Sequence, residues 1–140
     1  GGGTPALLRP DQLGTVLLAA SETFGIKRGA EITLEANPND VLRADLAGLQ
    51  RAGVTRLSIG VQSLRDSALA FLGRDHDAAS AAEAVKRALK VFPSVSIDLI
   101  YARPGQSPAS WEAELGDALA LGAPHLSLYE LTFEQRTPFG

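Results

Sequence analysis

The sequence predicts an α/β fold: part of a parallel (β/α) barrel, about four strands with flanking helices. Three observations carry this. Stretches that alternate apolar and polar residues take turns with stretches whose apolar residues recur at helical spacing, the mark of βαβ units with right-handed crossovers. The chain has 140 residues, whereas a closed eight-fold barrel needs about 250, so only part of one fits. The strand candidates are polar on one face, unlike an ordinary barrel interior filled with branched apolar side chains. A small flavodoxin-like sheet also satisfies the alternation.

The elements follow in order. "GGGTP" opens the chain, as an expression scar or as a loop that brings backbone close to a ligand. "PDQLGTVLLAASETFG" puts Leu13, Val16, Leu17, Ala20 and Phe24 on one helical face, with Pro10 suited to the first turn and Gly25 to the stop. Arg9 is a poor residue for the cap position. "EITLEA" alternates as a strand, and "NPND" reads as a breaker. "VLRADLAGLQRAG" is predicted as one helix with Leu42, Leu46 and Leu49 on a stripe and Gly53 at its end. "RLSIGVQ" is the second strand. A short helix near Asp66 to Leu72 and a longer one near Ala78 to Val91 follow. "VSIDLIY" is the third strand and "ARPGQ" a loop. Ser107 caps and Pro108 opens a helix that turns Trp111, Leu115 and Ala118 inward and ends at Gly122. "HLSLYELT" is the last strand. The chain thus begins in what reads as the loop after a strand and ends on a strand, as a fragment of a single core domain. Both "EITLEA" and "HLSLYELT" are then open edges, which recruit other chains.

Composition narrows the function. Hydrophobic residues make up 45% and charged residues 21%, with a net charge of -3 and both signs interspersed. There is no electrostatic footprint for nucleic acid. No apolar run is long enough to cross a bilayer. The sequence has no cysteine, which removes disulfides and any thiolate ligand to a metal or cluster within these residues.

Strand parity points to a site. Ile32, Leu34 and Ala36 share one face of the first strand, and Thr33 and Glu35 the other. Leu57, Ile59 and Val61 oppose Ser58, Gly60 and Gln62. Val95, Ile97, Leu99 and Tyr101 oppose Ser96, Asp98 and Ile100. The apolar faces should meet the helices. Glu35, Gln62 and Asp98 then lie on the opposite face near the C-terminal strand ends, where ligands bind in such folds. The fourth strand is ambiguous in parity. Asp98, between two apolar neighbours, needs a cationic or hydrogen-bonding partner. Glu35 could instead cap the following helix, and Gln62 could be a turn residue. "RDHD", with Asp75, His76 and Asp77, reads as a solvated loop rather than a metal site, and His125 as structural.

Taken in sequence, "GGGTP", "EITLEANP", "RLSIGVQS", "LGRDH", "SIDLIYARPGQS" and "HLSLYELTFEQRTPF" resemble the oxygen-independent coproporphyrinogen III oxidase family of radical S-adenosylmethionine proteins. The resemblance spans essentially the whole chain and is strongest to the heme chaperone branch, through "SLYELT" and "TPF". It implies a partial barrel of the radical S-adenosylmethionine type. It implies that Gly2, Gly3 and Thr4 hold the methionine end of the cofactor and that Glu35 is a further cofactor contact. Gln62, Arg74 and Asp98 match residues that surround a second S-adenosylmethionine in the coproporphyrinogen enzyme, and Thr132 falls at another contact position. A [4Fe-4S] cluster, heme or a porphyrinogen, a heme-receiving protein and a cytoplasmic location are implied for the intact protein. The alternative is the enzyme that oxidatively decarboxylates two propionates of coproporphyrinogen III to vinyls. A generic sugar-phosphate barrel is a third reading, but no phosphate-cradling motif supports it. Two departures stand out. The family's CxxxCxxC loop, which precedes the glycine motif, is not in this chain. Ala102-Arg103-Pro104 also replaces the usual Gly-Leu-Pro, which puts the shape of the loop after Asp98 in question.

Overall fold

A computed structural model describes residues 5–132. Four parallel strands form one sheet in the order β1 (Thr33–Ala36), β2 (Arg56–Gln62), β3 (Ser94–Tyr101), β4 (His125–Glu130). As expected, β1 and β4 are its edges. A 3-10 turn (Pro5–Leu7) and helix α1 (Pro10–Phe24) precede β1. Helices α2 (Pro38–Arg43) and α3 (Leu46–Ala52) connect β1 to β2. Helices α4 (Asp66–Phe71) and α5 (Ala78–Leu89) lead to β3, and α6 (Pro108–Ala120) to β4.

The core lies between the helices and the face carrying Leu34, Leu57, Ile59, Val61, Val95, Ile97 and Leu99, all buried as parity predicts. Ala81, Ala84, Val85 and Ala88 of α5 and Ala118 of α6 close it. Each large aliphatic side chain so buried contributes about 1.5–3 kcal/mol. The small alanine face lets α5 approach the sheet closely.

Three sequence expectations are corrected. The helix expected from Val41 to Gly53 is two, and "NPND" starts the first rather than breaking the chain. Asn37 occupies the cap position and Pro38 the first turn. The chain is extended at Ala44 (φ -70°, ψ 151°), and the Asp45 carboxylate then caps α3 by accepting from Gly48 N–H at 2.9 Å. Arg87 fills the break, donating to the carbonyls of Leu42 and Ala44. β1 is shorter than "EITLEA" because Ile32 N–H donates to the Thr55 hydroxyl, 2.8 Å away, before the ladder begins. On α1, Leu13 is buried and Leu17 packs against the core, but Val16 (56% exposed) and Phe24 (85%) face outward. Its weak cap is compensated by Gln12, whose side-chain oxygen accepts from Arg9 N–H at 3.0 Å.

Candidate functional site

The opposite face of the sheet is polar, and register aligns its side chains in rows. Glu35 pairs with Ser58, Ser58 with Ser96, and Asp98 with Ser127. The Ser58 hydroxyl is 3.0 Å from both oxygens of Asp98, and Ser96 Oγ is 3.4 Å from Asp98 Oδ1. Ser96 and Ser127 hydroxyls are 3.1 Å apart. This settles the parity of β4: Ser127 joins the polar layer, while Leu126 packs against the core. Asp98 thus has hydrogen-bonding partners, as a carboxylate between apolar neighbours needs. Burial raises its pKa. The serine hydroxyls oppose that rise, and the charge of Glu35 adds to it.

A cavity of about 200 Å³ opens on this layer, lined by Glu35, Asn37, Ser58, Gly60, Gln62, Arg74 and Asp98, with Pro5 and Ala36 at its edge. Glu35 and Asp98 therefore share one cleft at the strand ends. Arg74 reaches it from the loop after α4. Its guanidinium is partly buried, which lowers its pKa, and Asp75 opposes the shift; an arginine remains charged regardless. Gly60 explains how the polar ends converge. A Cβ there would lie 2.8 Å from Gln62 Nε2, 3.7 Å from Asn37 Oδ1 and 3.8 Å from Arg74 NH2. A strand glycine at such a close approach keeps space open. Gln62 sits where the β2–β3 register shifts, with φ +66°.

Four of the candidates named from sequence, Glu35, Gln62, Arg74 and Asp98, therefore line one cleft. Thr132 follows β4, is exposed, and does not line it. Gly2, Gly3 and Thr4 lie outside the described residues. Asn37 also lines the cleft; its place in "NPND", which reads as a breaker, hides that role in the sequence. A larger groove of about 390 Å³ beside Leu7, Leu8 and Leu49 is mainly apolar; Arg9, Asp40, Arg43 and Asp45 line it, but no side-chain amide or hydroxyl does.

One further correction concerns a residue next to the cleft. His76 is not solvated: its side chain is 1% exposed, with Nε2 3.0 Å from the Val61 carbonyl. No group of three or more metal-ligating side chains occurs among the described residues. The departure at Ala102-Arg103-Pro104 is absorbed locally. Ala102 takes φ +59°, the conformation in which glycine is at ease. Arg103 turns inward and pairs with Glu114 of α6, itself 1% exposed. Glu114 also accepts from Ser63 Oγ and from Leu64 N–H at 2.9 Å, tying the loops after β2 and β3 together.

The donor set suits a zwitterion bearing hydroxyls: one guanidinium for a carboxylate, two carboxylates for an ammonium or sugar hydroxyls, and amides and serines for directional bonds. The aminocarboxylate and ribose of S-adenosylmethionine fit that chemistry. An iron–sulfur cluster does not fit these residues, which include no cysteine. Among the described residues no helix is long and apolar enough to cross a membrane.

The family model described as "Radical SAM superfamily" matches residues 1–118. "Radical S-adenosyl methionine domain-containing protein 1, mitochondrial" of Danio rerio is 43% identical over 98% of this chain and 31% of its own length. The heme chaperone HemW of Escherichia coli is 42% identical over 100% of this chain and 37% of its own. The solved coproporphyrinogen III oxidase of Escherichia coli superposes with a TM-score of 0.79 and 30% identity, over 94% of this chain and 31% of that one. The chain therefore spans about a third of the length of these relatives. With four parallel strands, flanking helices and a polar cleft at the strand ends, the chain belongs to the radical S-adenosylmethionine superfamily.

Proposed function

We propose that this chain is the S-adenosylmethionine-binding part of a heme chaperone. The observation that carries the cofactor part is the convergence of Glu35, Gln62, Arg74 and Asp98 on one cleft. The relatives named heme chaperones carry the rest, since they align along nearly the entire chain. In this reading Arg74 takes the cofactor's carboxylate, and Glu35 and Asp98 take its ammonium or ribose hydroxyls. Asn37 and Gln62 orient it. Gly2, Gly3 and Thr4 hold the methionine end, and Thr132 adds a contact beyond β4. The cluster's ligands come from residues outside this chain, and when bound the cluster supplies one-electron chemistry to the cofactor. Heme is the cargo, a heme-receiving protein the partner, and the cytoplasm the compartment; the animal relatives are named as mitochondrial. The chain is then one segment of a longer core domain.

The likeness to the coproporphyrinogen III oxidase structure favours a second reading, oxidation of a porphyrinogen. Heme titration and coproporphyrinogen turnover, both on the intact, cluster-loaded protein, separate the two. Tight heme binding without turnover supports the chaperone; vinyl product formation overturns it. For the cofactor site, calorimetry with S-adenosylmethionine should show weaker binding for Glu35→Ala and Arg74→Ala. Wild-type affinity in both variants would remove the assignment.

A further inference from the structure

We propose that His76 and Glu114 are positioning residues that together hold Gln62 in a strained turn, so that its carboxamide enters the cleft as a specificity contact. The proposal rests on the cofactor reading above, but the strain itself does not. The Val61 carbonyl accepts from Ser63 N–H at 2.8 Å, across a Gln62 whose φ is +66°. A bond from residue i+2 back to i over a residue of that hand is the rare, strained form of γ-turn. A side chain larger than glycine's persists there only where the surroundings over-determine it.

They do so from both sides. Before the turn, His76 Nε2 lies 3.0 Å from the same Val61 carbonyl. A carbonyl can only accept, so Nε2 carries a proton and donates it. Its buried Nδ1 makes no hydrogen bond, and the nearest carboxylate oxygen, Asp75 Oδ1, stands off at 3.8 Å; the imidazole is placed for one hydrogen bond, not two. After the turn, buried Ser63 donates its hydroxyl to Glu114, and Leu64 N–H donates to the same carboxylate oxygen. Arg103 locks Glu114 in turn. The result is that Gln62 Nε2 folds back over Gly60, beside Asn37 and Arg74. Arg74 belongs to the His76 loop, which Asn39 also tethers through the Asp75 carbonyl at 2.9 Å. One imidazole therefore fixes two cleft contacts relative to each other.

The test uses the intact, cluster-loaded protein. Gln62→Gly should raise the folding equilibrium constant about fivefold, because glycine occupies the turn without strain, while S-adenosylmethionine affinity falls about tenfold, the effect of about one hydrogen bond. A merely structural residue would not move the two in opposite directions. His76→Leu should weaken binding similarly, and His76→Gln, which keeps a donor, should restore most of it. In the unliganded protein, nitrogen NMR should show His76 protonated at Nε2. A destabilised Gln62→Gly protein, or wild-type affinity in His76→Leu, overturns the proposal. If the wild-type protein does not bind S-adenosylmethionine at all, the cofactor reading and the specificity role fall together, and the stability of Gln62→Gly with the His76 tautomer still decides whether the turn is strained and clamped.

Discussion

Arg103→Leu installs the leucine that the family resemblance implies at this position and should nevertheless damage this protein. The Arg103 and Glu114 side chains are 8% and 1% exposed, and they pair directly. Removing one partner of a buried pair leaves the other as an uncompensated charge, at a cost of about 3–5 kcal/mol. Glu114 keeps the Ser63 hydroxyl and Leu64 N–H, so the loss belongs near the lower end, about 3 kcal/mol. The pH dependence is the sharper expectation. In the wild-type protein burial pushes the Glu114 pKa up, but Arg103, Ser63 and Leu64 outweigh it, and the net shift is downward from the usual 4.5. That stabilisation is fully present above the unfolded value and is lost as pH falls through the lowered one. Without Arg103, burial dominates and the carboxyl's pKa rises above its unfolded value. The variant then loses stability as pH rises past that value, so its deficit is largest near neutrality and shrinks in acid. Urea unfolding followed by Trp111, the single tryptophan, three residues before Glu114 on α6, measures this at about pH 7 and about pH 4. The double variant Arg103→Leu/Glu114→Gln should recover most of the loss, since the amide oxygen still accepts from Leu64. A deficit under about 1 kcal/mol, or one equal at both pH values, would refute the claim that a buried charge is left behind.

Ala102→Gly should stabilise the fold by about 0.5–1 kcal/mol, because φ is +59° there; a drop in the urea midpoint would contradict the backbone assignment. Asp98→Asn should raise stability of the unliganded protein near neutrality. The raised pKa of Asp98 means that stability is lost as pH climbs past the usual 3.8, and the advantage should vanish below it. Unfolding at both ends of that range checks the sign, and an Asn variant less stable at neutral pH would reverse it. Gly48→Ala should cost about 2–3 kcal/mol: a Cβ there would collide with the Asp45 carboxylate that caps α3 and lie 2.7 Å from Pro10 Cγ. Calorimetric melting is the measure, and an unchanged midpoint would show that α1 and α3 are not packed so closely.

What could be read in advance follows the range of the interaction. Strand parity is a local property with a period of two. Leu57, Ile59 and Val61 therefore revealed the buried face, and the polar face with Glu35 and Asp98 followed. Gln62 was placed by the same count, but its turn was not, because a left-handed glutamine leaves no mark in composition. The break between α2 and α3 had a signal, Asp45 three residues before Gly48, which a continuous leucine stripe obscured. In the sequence Arg103 stands out only as a departure from the resemblance. Its partner Glu114 lies at inward helical spacing from Trp111 and Ala118, and a charge on that face was the available clue. His76 gave none. Its burial depends on the distance from the α4–α5 loop to Val61, fixed by packing rather than by its neighbours in sequence.

Two carboxylates on this framework separate structure from function. Glu114 is almost wholly buried, paired with a guanidinium, and pushed towards the charged form. Its bonds are spent on holding two loops. Asp98 is partly buried and surrounded by serines, with no salt bridge among the described residues, and it is pushed towards the neutral form. Hydroxyls satisfy its lone pairs without neutralising its charge. Arg74 lines the same cavity without closing on it. Opposite charges kept apart in one cleft retain their attraction for a ligand that carries both signs, and the positive group of such a ligand would lower the raised Asp98 pKa on binding. A fold selected for stability alone would have let these groups pair, as Arg103 and Glu114 do.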